Sequence, residues 1–523
     1  MARLHPDHLQ ILSRGWSALR LAVESPERFA SWDAIVLTAA DEAQARLYEK
    51  RLEDLVAQGR IPGRTLCRVV SDPHGQRIGS GGATLHAVRV LAETWGPERL
   101  GARSVLLIHS GGDSRRVPWA SRFGKIFLPL PLLADPDEAI PTLLDHVLAL
   151  ATPLSFQMAG GGLVSFAGDV LPLFDAARAP VPPDHGWVVT APVPLDVAAR
   201  HGVIVPDPQD STRVKRLLQK PAPQKLIAEG GCLRGGAALL DTGIWAFTGT
   251  VWHGLLQAAL RTDALDVLRQ AGRPVSLYED IAAALLPDER HRLAAWPWAA
   301  PLLAAWKGAE LQTYTASDMA FLHFGTTAEI LDHLQRSVWF GALTFRHLAE
   351  VGPLVAEEAL ILESRLHPGT VVGSGSLVVG SRLGEGARIG RRCVVADVDD
   401  QDEPFTLPDN TCLWQAALAP DADGDRVAWF CCGVDDGPND PWDRATFANV
   451  HFPLWMARHG VEPEMLWPPE TPRTLWHARL FPAQHAPASL QTIEWLLSPD
   501  GEPRARRGCA RGSPSGDSSH SIV

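Results

Sequence analysis

The chain has 523 residues, 46% of them hydrophobic and 21% charged, a balance typical of a soluble globular protein with several domains. Its formal net charge of −12, from 48 Lys and Arg against 60 Asp and Glu, argues against a nucleic-acid-binding protein, which usually carries a basic excess. The opening MARLHPDHLQ is polar and no apolar run reaches about 18 residues, so we expect no membrane span or secretory leader and a cytoplasmic protein.

The cysteines contain no C-x-x-C pair. Their odd number and wide spacing favour reduced thiols over a disulfide framework or a zinc site. The seven are Cys67, Cys232, Cys393, Cys412, Cys431, Cys432 and Cys509.

The N-terminal part begins with the elements of an α/β sheet. Apolar residues recur at helical spacing over 7–24, which predicts a first helix. The run Ala34–Thr38 predicts a buried strand, and a helix is expected over 41–58 with Asp41 as its N-cap. A strand followed by a helix is typical of a parallel sheet.

A glycine-rich loop comes next in the sequence. Gly79, Ser80, Gly81 and Gly82 stand directly before a helix that we expect to begin near Ala83. Free N–H groups at a helix start can bind a phosphate, a ribose or a base edge. The alternative is a flexible turn, because the spacing fits neither G-x-G-x-x-G nor the phosphate-loop pattern.

A second glycine turn follows the apolar run Val105–Ile108, which predicts a strand buried on both faces. Gly111 and Gly112 turn the chain, and three cations come after them: Arg115, Arg116 and Lys125. Backbone N–H groups that approach phosphate oxygens, together with fixed cations, are typical of a polyphosphate site. A surface turn with solvated basic residues is the alternative.

Two carboxylates are candidate Mg²⁺ ligands. A helix is expected around 139–151, and the strand Leu163–Phe166 then delivers Asp169 at its carboxyl end. Mg²⁺ prefers one or two carboxylates plus phosphate oxygens and water, although a helix N-cap would also suit this aspartate. Asp241, on a neighbouring strand, would complete the metal site.

A predicted β hairpin, HGVIVPDP then VKRLLQKP, ends at Lys220. A lysine that points into the cleft from a strand end could bind a second phosphate. A single lysine at such a position is more often a solvated tip.

The clearest repeat lies further on. Apolar anchors recur at intervals of six with two intervals of five, at Val355, Ile361, Leu366, Val372, Val378, Leu383, Ile389 and Val395. A period near six predicts a left-handed parallel β-helix. His367 lies in this coil, and some such coils are acyltransferases; a structural or oligomerising coil is the alternative that we favour. Residues 404–500, rich in Trp and Pro, are expected to pack back on the coil.

These motifs together resemble those of sugar-nucleotide-forming nucleotidyltransferases. That family carries G-G-x-G-T-R, a proline and a lysine, then G-D, an E-K-P-like lysine and N-x-G-I-Y/W-x-F. Here GGDSRR, Pro118 and Lys125 occupy the first pattern, followed by Gly168-Asp169, Lys220 and DTGIWAF. The departures are Ser114 for glycine, Arg115 for threonine and Asp241 for asparagine.

A closer resemblance covers most of the chain. IGSGGATLHAV, HSGGDSRRVPWASRFGKIFLPLP and FLHFGTTAEILDHL are similar to the fucose-1-phosphate guanylyltransferase (GDP-fucose pyrophosphorylase) family. LPDNTCLWQAAL, CCGVDDGPND and RTLWHARLFPA resemble the region that joins this domain to a GHMP-type kinase in bifunctional fucokinase/guanylyltransferase proteins. No glycine-serine-rich kinase loop occurs in these 523 residues, so we expect no sugar phosphorylation here.

The resemblance implies an α/β fold. It comprises a Rossmann-like nucleotidyltransferase domain at 1–340, a left-handed parallel β-helix at 341–400, a smaller β-rich C-terminal region at 401–505 and a disordered tail at 506–523. The chain could also form homo-oligomers through the β-helix, and a separate fucokinase could be a partner.

The resemblance also implies the reaction of GTP with L-fucose 1-phosphate. Arg116, Lys125 and Lys220 are then the catalytic cations, Asp169 and Asp241 hold Mg²⁺, and the glycine loops with Ser80 and Arg115 bind the nucleotide. The alternatives are a non-catalytic module that binds a nucleotide sugar or scaffolds a fucokinase, and a pyrophosphorylase for another sugar or base.

Overall fold

The computed structural model describes residues 6–112, 114–121, 123–133, 139–335, 354–356, 358–400, 404–421, 424–485, 488–497 and 519–520. The chain forms two compact units. The first consists of Met1–Asp113 and Thr142–Leu322, and the second of Ser114–Pro141 and His323–Val523. The division falls inside the motif SGGDSRR, so its glycines belong to the first unit and its arginines to the second.

The first unit is a mixed α/β unit. Its helices are α1 (Pro6–Glu24), α2 (Glu42–Ala57), α3 (Gly79–Trp95), α4 (Pro97–Gly101), α5 (Leu143–Ser155), α6 (Leu195–Ala198), α7 (Pro223–Ala228), α8 (Gly249–Arg261), α9 (Ala264–Ala271), α10 (Arg290–Leu293) and α11 (Ala300–Ala305). Its strands are β1 (Ala34–Ala39), β2 (Leu66–Ser71), β3 (Ser104–His109), β4 (Gly162–Ala167), β5 (Val170–Leu173), β6 (Gly186–Pro194), β7 (Gly202–Pro206), β8 (Val214–Gln219), β9 (Ala237–Thr248), β10 (Leu311–Thr315) and β11 (Ala320–His323).

The main sheet of this unit has the order β10-β6-β9-β4-β3-β1-β2, with β7 and β8 attached beside β9. Strands β2, β1, β3 and β4 are parallel to one another, whereas β9 runs antiparallel to both β4 and β6. Every residue of β1 is buried, and so are the first five of β3. A parallel sheet buried on both faces explains the continuous apolar runs that predicted these strands.

The predicted helices agree with the structure to different degrees. Asp41 caps α2 as expected, because its side chain accepts a hydrogen bond from the Gln44 N–H. The helix expected over 139–151 is shifted: α5 begins at Leu143, since Thr142 and Asp145 form a capping box there. The helix expected near Ala83 begins earlier, at Gly79, so the predicted glycine loop is its first turn.

The second unit is rich in β structure. Its strands are β12 (Leu360–Leu362), β13 (Arg365–Leu366), β14 (Val371–Val372), β15 (Leu377–Val379), β16 (Arg382–Leu383), β17 (Arg388–Ile389), β18 (Val394–Ala396), β19 (Asp399–Asp400), β20 (Thr406–Leu407), β21 (Thr411–Asp421), β22 (Gly424–Gly433), β23 (Thr446–Phe447), β24 (Val450–His451), β25 (Phe481–His485) and β26 (Ser519–His520). Its helices are α12 (Thr327–Gln335), α13 (Phe452–His459), α14 (Pro463–Leu466) and α15 (Gln491–Glu494).

The apolar repeat forms three parallel ladders. Strands β12, β15 and β18 make one, β13, β16 and β19 the second, and β14, β17 and β20 the third. Leu360 pairs with Leu377, 17 residues later, and Leu377 pairs with Val394 at the same step. The repeat anchors from Ile361 to Val395 are buried. Each ladder therefore stacks one short strand from each successive turn of the chain.

The ladder that starts at β12 continues into the C-terminal region. Strand β18 pairs with β21 in parallel, and β21 then forms an antiparallel hairpin with β22. The residues after β20 thus extend the sheet of the coil. That residues 404–500 as a whole pack back on the coil stays a prediction.

The predicted domain boundaries at 340/341, 400/401 and 505/506 stay predictions. Each falls at or within a range that the structure does not describe. The predicted disordered tail also lies outside the described residues, except Ser519–His520, which pair with β25. Cys509 lies outside them too, and the other six cysteines are free thiols.

Candidate functional site

The glycine turn after β3 is anchored by a threonine of β1. The Thr38 hydroxyl oxygen accepts hydrogen bonds from the N–H groups of Ser110 (3.1 Å) and Gly111 (2.9 Å). A Cβ on Gly111 would lie 3.0 Å from the backbone of Ala39, so only glycine allows this approach. Gly112 has open space around it. The turn therefore stands at the carboxyl edge of the parallel strands, where ligands bind in open α/β sheets.

The glycines at the start of α3 serve close packing, and the expectation of free N–H groups there is wrong for two of them. Both Gly81 and Gly82 donate to the carbonyl oxygen of Val275, at 2.8 and 3.4 Å. A Cβ on Gly81 would lie 2.8 Å from backbone atoms of Ser276. The Ser80 hydroxyl accepts a bond from the Leu277 N–H at 2.9 Å. Some of the backbone N–H groups at the start of α3 are thus already hydrogen-bonded within the protein.

Asp241 lies where β9 changes partner. Up to Leu240, strand β9 pairs with β7, and from Trp245 onward it pairs with β4. The intervening Gly243 has φ +76° and donates its N–H to the Asp241 carboxylate at 2.9 Å. On this side, β9 thus exchanges β7 for β4 as its neighbour, and Asp241 lies between the two paired stretches.

The surroundings of Asp241 are apolar and close. Burial raises its pKa to about 7, against hydrogen bonds from the Gly243 N–H and the Trp245 side chain that lower it. A Cβ on Gly202 would lie 3.3 Å from the Asp241 Cβ and 3.2 Å from the ring of Tyr278. The Tyr278 hydroxyl donates to the Val203 carbonyl oxygen at 2.8 Å. The sequence analysis did not identify Gly202 or Tyr278 as site residues. The only sequence signal was the glycine in HGVIV, which is Gly202.

Asp169 lies in the turn after β4. The element that follows is the strand β5, so the alternative of a helix N-cap is wrong. Antiparallel β4 and β9 pair Ser165 with Trp245, and a Cβ on Gly243 would lie 2.9 Å from the Ala167 Cβ. Beyond Ser165 and Trp245 the two strands are no longer paired, and β9 shifts its register against β6 between Asp241 and Trp245. Asp169 therefore follows the end of the strand that lies beside β9, the strand that carries Asp241.

Lys220 follows the predicted hairpin, which is present as β7 and β8. Its N–H donates to the His201 carbonyl oxygen at 3.0 Å, and the residue is exposed with φ 43°. Lys220 is two strands away from Asp241 across β7, or about 10 Å between Cα atoms at normal strand spacing. It therefore lies at the same end of this part of the sheet as Asp241.

A histidine that the sequence reasoning passed over ends β3. The His109 Nε2 atom lies 3.2 Å from the Thr84 hydroxyl oxygen of α3. Burial lowers the pKa of His109 to about 4, so the ring is neutral near pH 7. The His109 carbonyl oxygen accepts the Gly168 N–H at 3.0 Å. This residue links α3, β3 and the turn that carries Asp169; its position directly before the second glycine turn was the available signal.

The predicted cations of the second unit are organised around the segment His323–Glu329. The Lys125 ammonium nitrogen donates to the Gly325 carbonyl oxygen at 3.1 Å. The Arg116 carbonyl oxygen accepts the Thr327 N–H at 3.2 Å, and its side chain is exposed. Trp119 donates from its ring nitrogen to the Thr327 hydroxyl oxygen at 3.1 Å. These contacts hold the loop that carries Arg115, Arg116 and Lys125, called the basic loop below, against the start of α12.

Residues 97–486 match the family described as the Fucose pyrophosphorylase domain. The chain belongs to this family. The match covers most of the ladders and the β21–β22 hairpin as well as most of the α/β unit, so the family's characteristic sequence extends across both units.

Curated relatives carry matching names. The chain is 37% identical over 545 aligned positions to the bifunctional fucokinase/GDP-fucose pyrophosphorylase of Arabidopsis thaliana, covering 95% of this chain and 51% of that protein. It is 27% identical over 411 positions to the human fucose-1-phosphate guanylyltransferase, covering 70% and 66%. A fucokinase/guanylyltransferase of Bacteroides fragilis is 24% identical over 424 positions. The chain thus spans about half the length of the plant relative.

The structure explains one departure of this chain from the nucleotidyltransferase pattern. Ser114, which stands where that pattern has glycine, has φ 48°. This is the left-handed region that glycine adopts without steric cost. The loop therefore keeps the backbone conformation of a glycine with a serine in place.

Among the described residues, no three His, Cys, Asp or Glu side chains are grouped so as to hold a metal ion. No helix in the described ranges is long and apolar enough to cross a membrane.

Proposed function

We propose that this chain joins L-fucose 1-phosphate to GTP, forming GDP-L-fucose and releasing pyrophosphate. The observation that carries the proposal is the family match over residues 97–486, together with the activities for which the plant and human relatives are named. The choice of guanine and of fucose comes from those relatives.

The reaction requires that the two substrates are positioned and that their negative charge is neutralised. An oxygen of the sugar phosphate attacks the α-phosphorus of GTP in line, a new P–O bond forms, and the bond from the α-phosphorus to the bridging oxygen breaks. Pyrophosphate leaves with that electron pair. The attacking oxygen is already anionic, so no strong general base is needed.

The cations have distinct roles in this proposal. Arg116 and Lys125 stabilise the negative charge that builds up on the departing β,γ-phosphates, and Lys220 binds the phosphate of the sugar. The hydrogen bond from Lys125 to the Gly325 carbonyl oxygen supports the first role, because it fixes the position of the ammonium group. The exposure of Lys220 and its place at the Asp241 end of the sheet support the second.

The nucleotide pocket is assigned to the two glycine segments. Gly112 has open space around it, so a phosphate or ribose can approach its backbone. Gly111 shapes the same turn through its close approach to β1. In α3, Gly79 and Ser80 with Gly81 and Gly82 bring the helix start to the carboxyl edge of the sheet. Arg115 is proposed to bind the nucleotide as well.

The carboxylates fit a magnesium ion. Mg²⁺ takes hard oxygen ligands and keeps several waters, so two carboxylates suffice when phosphates supply the rest. Asp169 and Asp241 would hold it, and when bound it would neutralise charge on the α-phosphate and the attacking group. Asp241 is held for this task by the Gly243 N–H, which fixes one carboxylate oxygen.

The finer fold assignments belong to the same proposal. The order β2-β1-β3-β4 with intervening helices supports a Rossmann-like nucleotidyltransferase unit. Three parallel ladders with a step of 17 residues support a left-handed parallel β-helix with three faces per turn. We further propose that the chain works in the cytoplasm, that the coil joins copies of the chain, and that a separate fucokinase supplies the sugar phosphate.

A non-catalytic module is the second candidate function. It is supported by the part of the plant relative's length that the chain covers. The chain spans 51% of a relative whose name combines two activities. A chain without turnover could still bind GDP-fucose or a kinase. The two candidates differ in one product, pyrophosphate.

The test is a matrix of substrates. The purified chain is incubated with Mg²⁺, each of four nucleoside triphosphates and a panel of sugar 1-phosphates, and pyrophosphate release is followed with the nucleotide sugar identified by mass. The expected result is fastest release with GTP and L-fucose 1-phosphate. Tight GDP-fucose binding without release in any combination supports the module, and faster release with another pair corrects the substrates.

A further inference from the structure

His109 is the last residue of β3, and the turn at Gly111 and Gly112 follows it almost at once. The parallel strands β1, β2, β3 and β4 end at this same edge of the sheet, where ligands bind in open α/β folds. His109, the turn and α3 all belong to the first unit. A polar side chain at this place can therefore face a substrate.

Two hydrogen bonds determine which nitrogen of the His109 ring carries the proton. The Thr84 hydroxyl donates to the Ser80 carbonyl oxygen at 2.8 Å. A carbonyl oxygen only accepts, so the single proton of the hydroxyl is used in this bond. In the 3.2 Å contact between Thr84 and His109, the hydroxyl oxygen is therefore the acceptor and Nε2–H is the donor. Thr84 is fully buried, which shields this pair of bonds from water.

The other ring nitrogen of His109, Nδ1, is then an acceptor. Burial lowers the pKa of His109 to about 4, so the ring is neutral near pH 7 and Nδ1 carries a lone pair instead of a proton. Within the described part of the chain, Thr84 is the hydrogen-bond partner of the ring, and Nδ1 is not among the buried polar atoms that lack a partner. Nδ1 therefore faces space that solvent reaches.

The His109 ring lies in a concave part of the first unit. The residue is only half-buried, yet the protein around it is dense enough to lower its pKa strongly. Its partner on β4 is Ala167, and a Cβ on Gly243 of β9 would lie 2.9 Å from the Ala167 Cβ. Paired residues of parallel strands point to the same face of a sheet, so the neighbours of the ring on this face are small. Neither of them has a side chain long enough to cover the ring.

A neutral acceptor at this place requires a hydrogen-bond donor on the ligand. Ionised phosphate oxygens accept hydrogen bonds and do not donate them, so the lone pair of Nδ1 repels a phosphate oxygen. A nucleoside does carry donors, which are the N1–H and 2-amino groups of guanine and the hydroxyl groups of ribose. His109 also precedes the glycine turn assigned to the nucleotide pocket, so a nucleoside can lie against the end of β3.

We propose that Nδ1 of His109 accepts a hydrogen bond from a donor group of the bound nucleoside, either an N–H group of guanine or a ribose hydroxyl. Thr84 is a positioning residue, because it holds the Nε2–H and so keeps the lone pair on Nδ1. This inference rests on the proposed function and adds a residue that selects the nucleotide. A nucleotide without the donor binds more weakly, since the lone pair then loses water without gaining a partner.

The first test compares His109→Phe with His109→Asn in the full chain. Phenylalanine keeps a planar ring but has no acceptor, so the Kd and KM for GTP should rise by about 3- to 10-fold, the effect of one neutral hydrogen bond. Asparagine offers an acceptor oxygen close to the position of Nδ1 and should recover most of the loss. The KM for L-fucose 1-phosphate should change by less than about twofold in both variants. His253→Phe, at an exposed position of α8, is the control and should bind GTP like the wild type.

Nucleotide analogues then identify the donor. The N1–H is blocked in 1-methyl-GTP, the 2-amino group is missing from ITP, and one ribose hydroxyl is missing from each of 2′-deoxy-GTP and 3′-deoxy-GTP. The analogue without the donor should bind equally well to wild type and His109→Phe, whereas the other analogues should keep the full difference in Kd. A full difference with every analogue, or an equal loss for GTP and the sugar phosphate, overturns the proposal.

Thr84→Val and Thr84→Ser test the positioning role. Valine has nearly the shape of threonine but cannot accept the Nε2–H, so GTP binding should weaken as it does in His109→Phe, and serine should bind like the wild type. Adding Thr84→Val to His109→Phe should cost less than about twofold more in Kd, and multiplying losses contradict positioning through His109. Thermal melts accompany each variant. If His109→Phe does not fold, the comparison of Thr84→Val with Thr84→Ser across the analogues decides the question.

The result also distinguishes this inference from the proposed function. A wild-type chain that releases no pyrophosphate with any substrate pair rejects the proposed function, and calorimetry with GTP alone still measures the effect of His109→Phe. A wild-type chain that binds GTP with a Kd unchanged by His109→Phe and by Thr84→Val rejects the role of His109 alone.

Discussion

The ammonium nitrogen of Lys125 donates a 3.1 Å hydrogen bond to the backbone carbonyl oxygen of Gly325. The two residues are 200 positions apart, yet this bond ties the basic loop to the turn before α12. The turn is held in its own right by Glu329, whose carboxylate accepts the N–H groups of Gly325 and Thr326, each at 3.1 Å. The cation is thus placed by a capped helix start.

Lys125→Met should reduce kcat on the order of 10²-fold or more, because a preorganised charge facing the leaving phosphates is lost while the length of the side chain is kept. Steady-state pyrophosphate release measures the effect, with Arg116→Ala alongside. Lys50→Met on α2, whose side chain is 74% exposed, is the matched control and should keep its turnover. Near-wild-type rates for both Lys125→Met and Arg116→Ala would remove the basic loop from the catalytic assignment.

Gly81→Ala should lower the free energy of unfolding by about 1–3 kcal/mol, since the new Cβ would lie 2.8 Å from backbone atoms of Ser276. Gly112→Ala is the matched control: nothing lies within 4 Å of its added Cβ, so its stability should change by less than about 0.5 kcal/mol. Chemical denaturation of the two variants provides the comparison. Equal stabilities would mean that α3 can move away from residues 275–281 at little cost.

Ser114→Gly should stabilise the chain by up to about 1 kcal/mol, because φ 48° is strained for serine and free for glycine, less the extra entropy of glycine when unfolded. Thermal unfolding is the readout. Ser121→Gly is the comparison, since Ser121 has φ −59° and no strain is relieved there. It should be destabilising, because it adds the entropic cost of glycine and removes the 2.7 Å hydrogen bond from the Ser121 hydroxyl to the Pro118 carbonyl oxygen. A destabilised Ser114→Gly variant would show that the serine side chain contributes more than its backbone strain costs.

Glu329→Gln should be destabilising near neutral pH and lose its effect in acid. Burial acts to raise the pKa of Glu329, but the hydrogen bond and charge of His323 and the Thr326 N–H outweigh it and lower the value to about 2. The folded-state pKa is thus below the ordinary 4.5, so the stabilisation is present above about pH 4.5 and disappears as the pH falls towards 2. The difference between the denaturant midpoints of wild type and Glu329→Gln should therefore become smaller from pH 7 to pH 4 and pH 3.

The control for this pH dependence is Glu49→Gln, at an exposed position of α2, which should show no such convergence. If the difference in stability between wild type and Glu329→Gln stayed constant from pH 7 to 3, the stabilising interaction of Glu329 with His323 would be contradicted.

Chelation of Mg²⁺ should abolish pyrophosphate release, and added Mg²⁺ should restore it. Asp169→Asn and Asp241→Asn should each raise the Mg²⁺ concentration needed for half-maximal rate, because a neutral amide is a weaker ligand than a carboxylate. Titration of the rate with Mg²⁺ measures this, and Asp54→Asn, on the outer face of α2, is the control. Unchanged Mg²⁺ dependence in both variants would separate these aspartates from the metal.

The sequence alone located most of the elements that carry the candidate site. Buried runs such as Val105–Ile108 predicted β3 because a strand covered on both faces has no polar side. The anchors from Ile361 to Val395 predicted a coil because their spacing repeats, and three parallel ladders are present, with a step of 17 residues between most paired strands and 18 between β17 and β20. The first turn of α3 was not predicted as helix. Glycine has a low helix propensity, so its glycines favoured a loop, and only packing against residues 275–281 makes them helical.

What the sequence by itself determined about this protein is its local content: apolar runs, turns, the coil repeat and the motifs by which it resembles its family. These follow from preferences that act over a few residues. The tertiary structure alone decided which distant groups meet, such as Asp241 with Gly202 and Tyr278, Lys125 with Gly325 and Arg115 with Trp476. Such contacts depend on the register of strands and the packing of whole elements, and no short stretch of chain encodes either.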